Sequence, residues 1–142
     1  MPSNDLLVKT LKQAGYSVTQ TRKTVFAALE NQEPLTMQQL THKLPDVDRA
    51  SAYRTVALFE RLGILRRLQV GWKYKLELSE LFSYHHHHMS CVKCGIIVPV
   101  REDKTIETAL HTLAHEYGFT LSDHQVEMQG VCTKCRLQES TP

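Results

Sequence analysis

The chain reads as α+β, in two parts of different chemistry, and three observations carry that reading. Three or four short stretches of helical spacing fill residues 6–62, and two strand-like runs around Gly71 follow them. Past residue 82 the pattern changes to strand, strand, helix, strand. All four cysteines lie in this second part, as Cys91-Val92-Lys93-Cys94 and Cys132-Thr133-Lys134-Cys135, and two such knuckles can hand four thiolates to one tetrahedral zinc. Residues 1–82 are therefore expected to form a winged helix-turn-helix domain, and residues 83–142 a small α/β domain with a four-cysteine zinc site.

The elements follow in order. Leu7, Leu11 and Ala14 give helical spacing over residues 6–14, closed by Gly15. Thr19 is the N-cap expected for a second helix that turns Val25, Phe26 and Leu29 inward. Pro34 breaks the chain, Thr36 caps a short third helix through Met37, Leu40 and Leu44, and Pro45 stops it. Asp48 caps the fourth helix, in which Ala52, Val56, Phe59 and Leu62 share a face and Gly63 marks the end. Residues 64–70 and 72–78 then read as a hairpin turning at Gly71. Helices followed by a two-stranded hairpin is the order of a winged helix, whose last helix enters the DNA major groove.

The outer face of that fourth helix carries Ser51, Tyr53, Arg54 and Arg61, residue types that reach phosphates and base edges. An ordinary solvated helix face is the alternative; Arg66, Arg67, Lys73 and Lys75 in the hairpin favour DNA. Charge agrees with that order. Residues 1–83 hold twelve Lys and Arg against eight Asp and Glu, and residues 84–142 hold five against seven.

Residues 81–84 are read as the hinge. Beyond it the run His85-His86-His87-His88 is expected as a strand leading to Cys91, with a second strand over 96–100. A helix over 105–117 is expected to bury Ile106, Ala109, Leu110, Leu113 and Ala114 and to stop at Gly118. Phe119, Leu121, Val126 and Met128 are expected in further strands.

Strand alternation divides the histidines, so His85 and His87 project one way and His86 and His88 the other. Two metal sites are favoured over one. Glu107 and His124 are assigned with His85 and His87, and Glu77, at the end of the hairpin, is the acid candidate for His86 and His88. Imidazole and carboxylate sets suit zinc, ferrous iron, nickel or manganese.

Several classes fall away. No apolar run reaches the roughly eighteen residues of a membrane span, and the polar start Met1-Pro2-Ser3-Asn4-Asp5 is unlike a signal peptide. A cytoplasmic location is expected, where paired CxxC motifs are more often zinc knuckles than disulfides. Redox catalysis is disfavoured because the motif occurs twice, bracketing a domain. A zinc held by four cysteines has no open coordination position for hydrolysis, so an enzyme is not expected.

Together these motifs resemble the ferric uptake regulator family of metal-responsive repressors, along nearly the whole chain. Gly15 to Arg22 resembles the family's opening motif, Ser51-Ala52-Tyr53-Arg54-Thr55 its recognition-helix signature, and residues 59–65 the helix end and first wing strand. His85 to Cys94, His124, and Gly130 to Cys135 resemble its metal-binding segments. The resemblance implies a dimerisation role for the second domain and a homodimer that binds an AT-rich palindromic operator in double-stranded DNA when loaded with metal. It implies DNA contacts by Ser51, Tyr53, Arg54 and Arg22, structural Zn2+ on Cys91, Cys94, Cys132 and Cys135, and a second site of His85, His87, Glu107 and His124. The regulatory metal it implies is Zn2+ or Fe2+, with Mn2+ a further candidate.

The interdomain sensor set, Glu77, His86 and His88, matches in part. Pro34, Lys75 and Pro99 stand where many members carry other sensor ligands, and Ser17 replaces a basic residue that some members send into the minor groove. Peroxide sensing ranks lower, because its aspartates have no counterparts here. Two alternatives stay open: a DNA-binding regulator whose metals are all structural, and a metal-trafficking protein.

Overall fold

The structure, a computed structural model, describes residues 2–140. The chain divides into two compact units, with the boundary between Tyr84 and His85. No helix among the described residues is long and apolar enough to cross a membrane.

The first unit opens with α1 (Pro2–Gln13), which begins four residues earlier than its apolar spacing suggested and buries Leu7 and Leu11 completely. Its end is a Schellman turn: Tyr16 N–H reaches the Leu11 carbonyl at 2.9 Å and Gly15 N–H the Lys12 carbonyl at 3.0 Å. That turn places Gly15 at φ +81°, a conformation costly for any residue with a Cβ. In α2 (Gln20–Leu29) the Thr19 hydroxyl accepts the Arg22 N–H at 3.2 Å, and Val25, Phe26 and Leu29 face the core. A Thr19→Ala variant is expected to lose about 1 kcal/mol of stability, read as a lower urea midpoint with unchanged slope.

Thr36 and Gln39 form a reciprocal capping box at the start of α3 (Met37–His42). Helix α4 (Arg49–Arg61) is capped by Asp48 Oδ1, which accepts the Ser51 N–H at 3.0 Å. The burial of Ala52, Val56 and Phe59 follows the spacing read from sequence, with Thr55 and Leu58 added to it and Leu62, expected on the same face, half-buried. Strands β1 (Leu65–Val70) and β2 (Lys73–Leu78) pair antiparallel from Leu65↔Leu78 to Val70↔Lys73, and Leu35 bridges to Leu76. Gly71 and Trp72 together form the loop, so Trp72 is not a strand residue as expected. Leu7, Leu11, Phe26, Leu40, Phe59 and Leu76 lie in one continuous apolar core.

The second unit holds β3 (His86–Cys91), β4 (Ile97–Arg101), α5 (Lys104–Glu116), β5 (Glu127–Gly130) and α6 (Thr133–Glu139). Its sheet has the order β4-β3-β5, antiparallel between β3 and β4 and parallel between β3 and β5. Three expectations are corrected, and one helix was not anticipated. Phe119, Leu121 and Val126 lie outside strands, Met128 alone of that set being in β5. The chain past Cys132 is helical. The second strand runs one residue later than expected. Most consequential, α5 buries nothing: Ile106, Leu110 and Ala114 are half-covered, while Ala109 and Leu113 are exposed. Periodicity shows that a helix has an apolar face; it does not show which molecule covers it.

No residue of the continuous apolar core belongs to this second unit. Its buried positions are instead Cys91, Ile97, Cys135, His87, His88 and Ser90. Cysteine and histidine side chains occupy the places where a larger domain would put Leu and Ile.

Candidate metal centres and nucleic-acid interface

The two knuckles converge. After Cys91 the chain turns back at once, with Gly95 N–H on the Cys91 carbonyl and Cys91 N–H on the Ile96 carbonyl, each at 2.9 Å. Parallel pairing of β3 with β5 ends at Cys91↔Gly130, and this brings in Cys132 as N-cap of α6 with Cys135 in its first turn. The four Sγ atoms all lie within 4.8 Å of one another, and Cys94 and Cys132 are 3.8 Å apart. A tetrahedron with zinc–sulfur bonds of about 2.3 Å has edges of roughly 3.8 Å, so the donor set fits zinc. No disulfide competes, since all four cysteines are free.

The protein primes part of this thiol set for ionisation. The Cys132 N–H, donated to Cys91 Sγ at 3.3 Å, together with the Cys94 N–H pulls the Cys91 thiol down to about 6. The Cys132 side chain and burial push Cys135 up to about 12. A divalent ion reverses that second effect, because a coordinating thiol gives up its proton.

The second cluster joins His85, His87, Glu107 and His124, whose donor atoms also lie within 4.8 Å of one another. Asp103 caps α5 through the Thr105 and Ile106 amides and so fixes Glu107 in the first turn. Nε2 of His87 and of His85 stand 2.7 and 3.3 Å from Glu107 Oε1, and Nε2 of His124 stands 2.9 Å from Oε2. His85 Nε2 and His124 Nε2 face each other at 3.1 Å. Burial works to raise the Glu107 pKa, yet the hydrogen bonds from His87 and His124 prevail and hold it at about 2. Three imidazole nitrogens and a firmly ionised carboxylate aimed at one point are a donor set for a divalent cation. His87 is wholly buried, and its Nδ1 has no hydrogen-bond partner.

On the opposite side of β3, the rings of His86 and His88 lie 4.7 Å apart between centroids, with His88 buried. Glu77 lies on β2 of the first unit, where the register places it across from Arg66. Arg66 Nε meets Glu77 Oε1 at 2.6 Å, with both side chains largely covered. Sequence inspection assigned Arg66 to the DNA-facing charge and missed this pair, because the cross-strand partner depends on the length of the loop at Gly71.

The outer face of α4 forms a chain of polar contacts. Ser51 Oγ donates to Asp48 Oδ2 at 2.5 Å, and Arg54 Nη2 donates to Ser51 Oγ at 3.1 Å. The Ser51 side chain, with the Ser51 N–H, keeps Asp48 below its ordinary pKa. Tyr53 is exposed and has the Arg49 guanidinium 5.6 Å above its ring. Arg22 donates to the Ser17 carbonyl and lies 5.6 Å from the Tyr16 ring centroid, while Arg61 Nη2 donates to the Tyr16 hydroxyl at 2.8 Å. A cleft of about 530 Å³ runs between these groups, and Tyr16, Arg22, Ser51, Arg54 and Arg61 are among its lining residues. Arg22, Ser51 and Arg54 thus share one basic cleft, with Tyr53 on the same helix. Tyr16 was missed as a site residue, although the opening motif contains it.

A sequence model of the ferric uptake regulator family matches residues 13–129. The chain belongs to the ferric uptake regulator family. It is 28% identical to the ferric uptake regulation protein of Bacillus subtilis over 96% of each chain. Among solved structures it is similar to the Vibrio cholerae ferric uptake regulator, with TM-score 0.72 and 29% identity over 88% of this chain and 98% of that one. The ferric uptake regulator of Pseudomonas aeruginosa, solved with manganese, gives TM-score 0.77 and 26% identity over 94% of this chain and 99% of that one. Members of the ferric uptake regulator family are metal-responsive transcription regulators rather than enzymes.

Proposed function

We propose that this ferric uptake regulator family protein is a metal-dependent repressor that binds a palindromic, AT-rich operator as a homodimer and controls metal-homeostasis genes. The observation that carries the reading is β3, whose His86 and His88 rings lie together on one side while His87 lies with His85, just before the strand, on the other, so that imidazoles are available on both faces. Cys91, Cys94, Cys132 and Cys135 would hold a structural zinc. His85, His87, Glu107 and His124 would hold a second divalent ion that ties β3 to α5 and to the loop before β5. Glu77, His86 and His88 are the proposed sensor ligands, and they draw on both units. Metal bound there would fix the spacing of two recognition helices, and a palindrome is gripped at both halves only when that spacing matches the DNA repeat. Without metal the binding-competent arrangement would be a minority state, which lowers apparent affinity.

The open apolar face of α5 supports the homodimer, since a second copy would cover Leu110, Leu113 and their neighbours. The Pseudomonas aeruginosa relative solved with manganese supports a divalent ion as corepressor.

A second reading, in which every metal is structural, draws on Arg66, which already engages one oxygen of Glu77. The test is fluorescence anisotropy with a duplex from upstream of the protein's own coding region, at fixed salt, titrating buffered zinc, ferrous iron and manganese separately. One of these is expected to tighten binding at least tenfold, about 1.4 kcal/mol of coupling. The response should disappear in His86→Ala/His88→Ala while the cysteine-bound zinc stays. Tight binding that ignores all three metals would favour the second reading.

A further inference from the structure

Trp72 is the sole tryptophan of the chain and is fully exposed, at 101% of its reference area. An indole brings some 150–250 Å² of largely apolar surface and one N–H donor, and in this fold neither is used. The loop that presents it is well defined. Gly71 adopts φ +59°, and Asn31 is the one non-glycine residue with positive φ among the described residues, so Gly71-Trp72 is a two-residue turn of the II′ kind. Gln69 Nε2 donates to the Gly71 carbonyl at 2.9 Å and ties the tip to β1. Lower in the hairpin, Arg67 joins Glu60 of α4 at 2.8 Å and lies 4.3 Å over the Tyr74 ring, which sets the hairpin against the recognition helix. The tip itself is positive: Lys73 and Lys75 follow Trp72, while the acids of the hairpin region, Glu77 and Glu60, are engaged lower down by Arg66 and Arg67.

We propose that the wing tip is a second DNA contact, in which the Trp72 indole packs on the sugar–phosphate backbone and donates Nε1–H to a phosphate, with Lys73 and Lys75 on neighbouring phosphates. The proposal rests on the DNA-binding reading above. Charge decides the partner: Arg66 and Arg67 are engaged by Glu77 and Glu60, and a polyanion compensates the two lysines beside the tip, Lys73 and Lys75, while offering acceptors to the indole, whereas an apolar protein surface would leave those lysines desolvated. Because Trp72 touches nothing within the fold, its replacement leaves folding intact.

The chain's single tryptophan makes the test direct. Metal-loaded full-length protein is titrated with the promoter duplex while anisotropy of a DNA label and tryptophan emission are recorded together. At saturation the emission is expected to shift to the blue and to resist acrylamide quenching. Trp72→Ala is expected to bind about a hundredfold more weakly, because a homodimer on a palindrome loses one hydrogen bond to a charged group at each half-site. Trp72→Phe, which keeps the ring and loses the donor, should fall between. Saturated DNA binding with unchanged emission and quenching, and with Trp72→Ala binding like the parent, would overturn the wing contact and leave the DNA reading standing. No binding of the duplex by the unsubstituted protein overturns both. An emission shift that appears with protein concentration alone, without DNA, would assign the indole to contact between copies and also refute the proposal.

Discussion

Cys135→Ser is expected to abolish zinc retention, unfold the second unit and eliminate DNA binding, while the first unit keeps its cooperative melt. The asymmetry follows from what each unit has at its centre. Leu7, Leu11, Phe26, Leu40, Phe59 and Leu76 give residues before the hinge a continuous apolar core. The second unit has no described residue in that core, and the side chains it buries are mostly of metal-binding types, Cys91, Cys135, His87 and His88. A unit of about 60 residues is already marginal on burial alone. A structural zinc supplies roughly 10–16 kcal/mol of binding free energy in zinc-finger peptides, and that free energy is folding free energy when no site exists in the unfolded chain. Cys135 is buried and ends the parallel β3/β5 to α6 path, so an oxygen in place of its sulfur removes a ligand no neighbour can replace. Zinc content by metal analysis, together with thermal melts followed by circular dichroism, checks the expectation. A variant that loses zinc yet keeps a two-unit melt and binds DNA would show that apolar contacts, including those of a second copy on α5, suffice. Prolonged treatment of the parent with a strong chelator should reproduce the variant's melt.

The parts of this architecture legible in the sequence are those governed by local rules. Thr19, Thr36 and Asp48 announce their helices because a short oxygen side chain before an apolar period satisfies backbone amides that the helix leaves open. The division of four histidines into two faces needed only the period of a strand. The grouping of His85 and His87 with Glu107 and His124 needed one further step, because those two residues are brought in by α5 and by the loop before β5. What was not legible depends on partners distant in sequence. Arg66 looked like a free cation until β1/β2 register set it opposite Glu77. The apolar face of α5 looked like core, although the described residues leave it half-covered or exposed. Residues 119–125 carry apolar side chains without strand pairing, because β5 joins β3 only from Glu127 onward, with the Val126 carbonyl accepting the first bond from His88 N–H. Helix α6 was hidden by its own chemistry: Cys132-Thr133-Lys134-Cys135 reads as a knuckle and has too few apolar residues to show a period.

Arg54→Ala should weaken operator binding by about a hundredfold and leave folding and metal content unchanged. Arg54 is exposed on α4, opposite the Ala52, Val56 and Phe59 face, so truncation removes no core contact. Its guanidinium is held by Ser51, which is held in turn by Asp48 at the helix start, and this arrangement restricts its rotamers before DNA arrives. A bidentate arginine–base contact is worth about 1–3 kcal/mol. A homodimer on a palindrome makes that contact twice, so a combined loss of about 2.7 kcal/mol, the hundredfold effect, is at the lower end. Arg54→Lys tests whether charge or shape matters, because an ammonium can satisfy a phosphate as a point charge but not the paired acceptors of a base. If Arg54 reads bases, Lys recovers nonspecific binding and leaves discrimination between operator and scrambled duplex impaired. If Arg54 only neutralises a phosphate, Lys restores both, and Ala weakens operator and scrambled duplexes equally while lowering the salt dependence by about one counterion per contact. Parent-like affinity of Arg54→Ala for both duplexes would remove α4 from the interface and require another surface of the first unit to carry recognition.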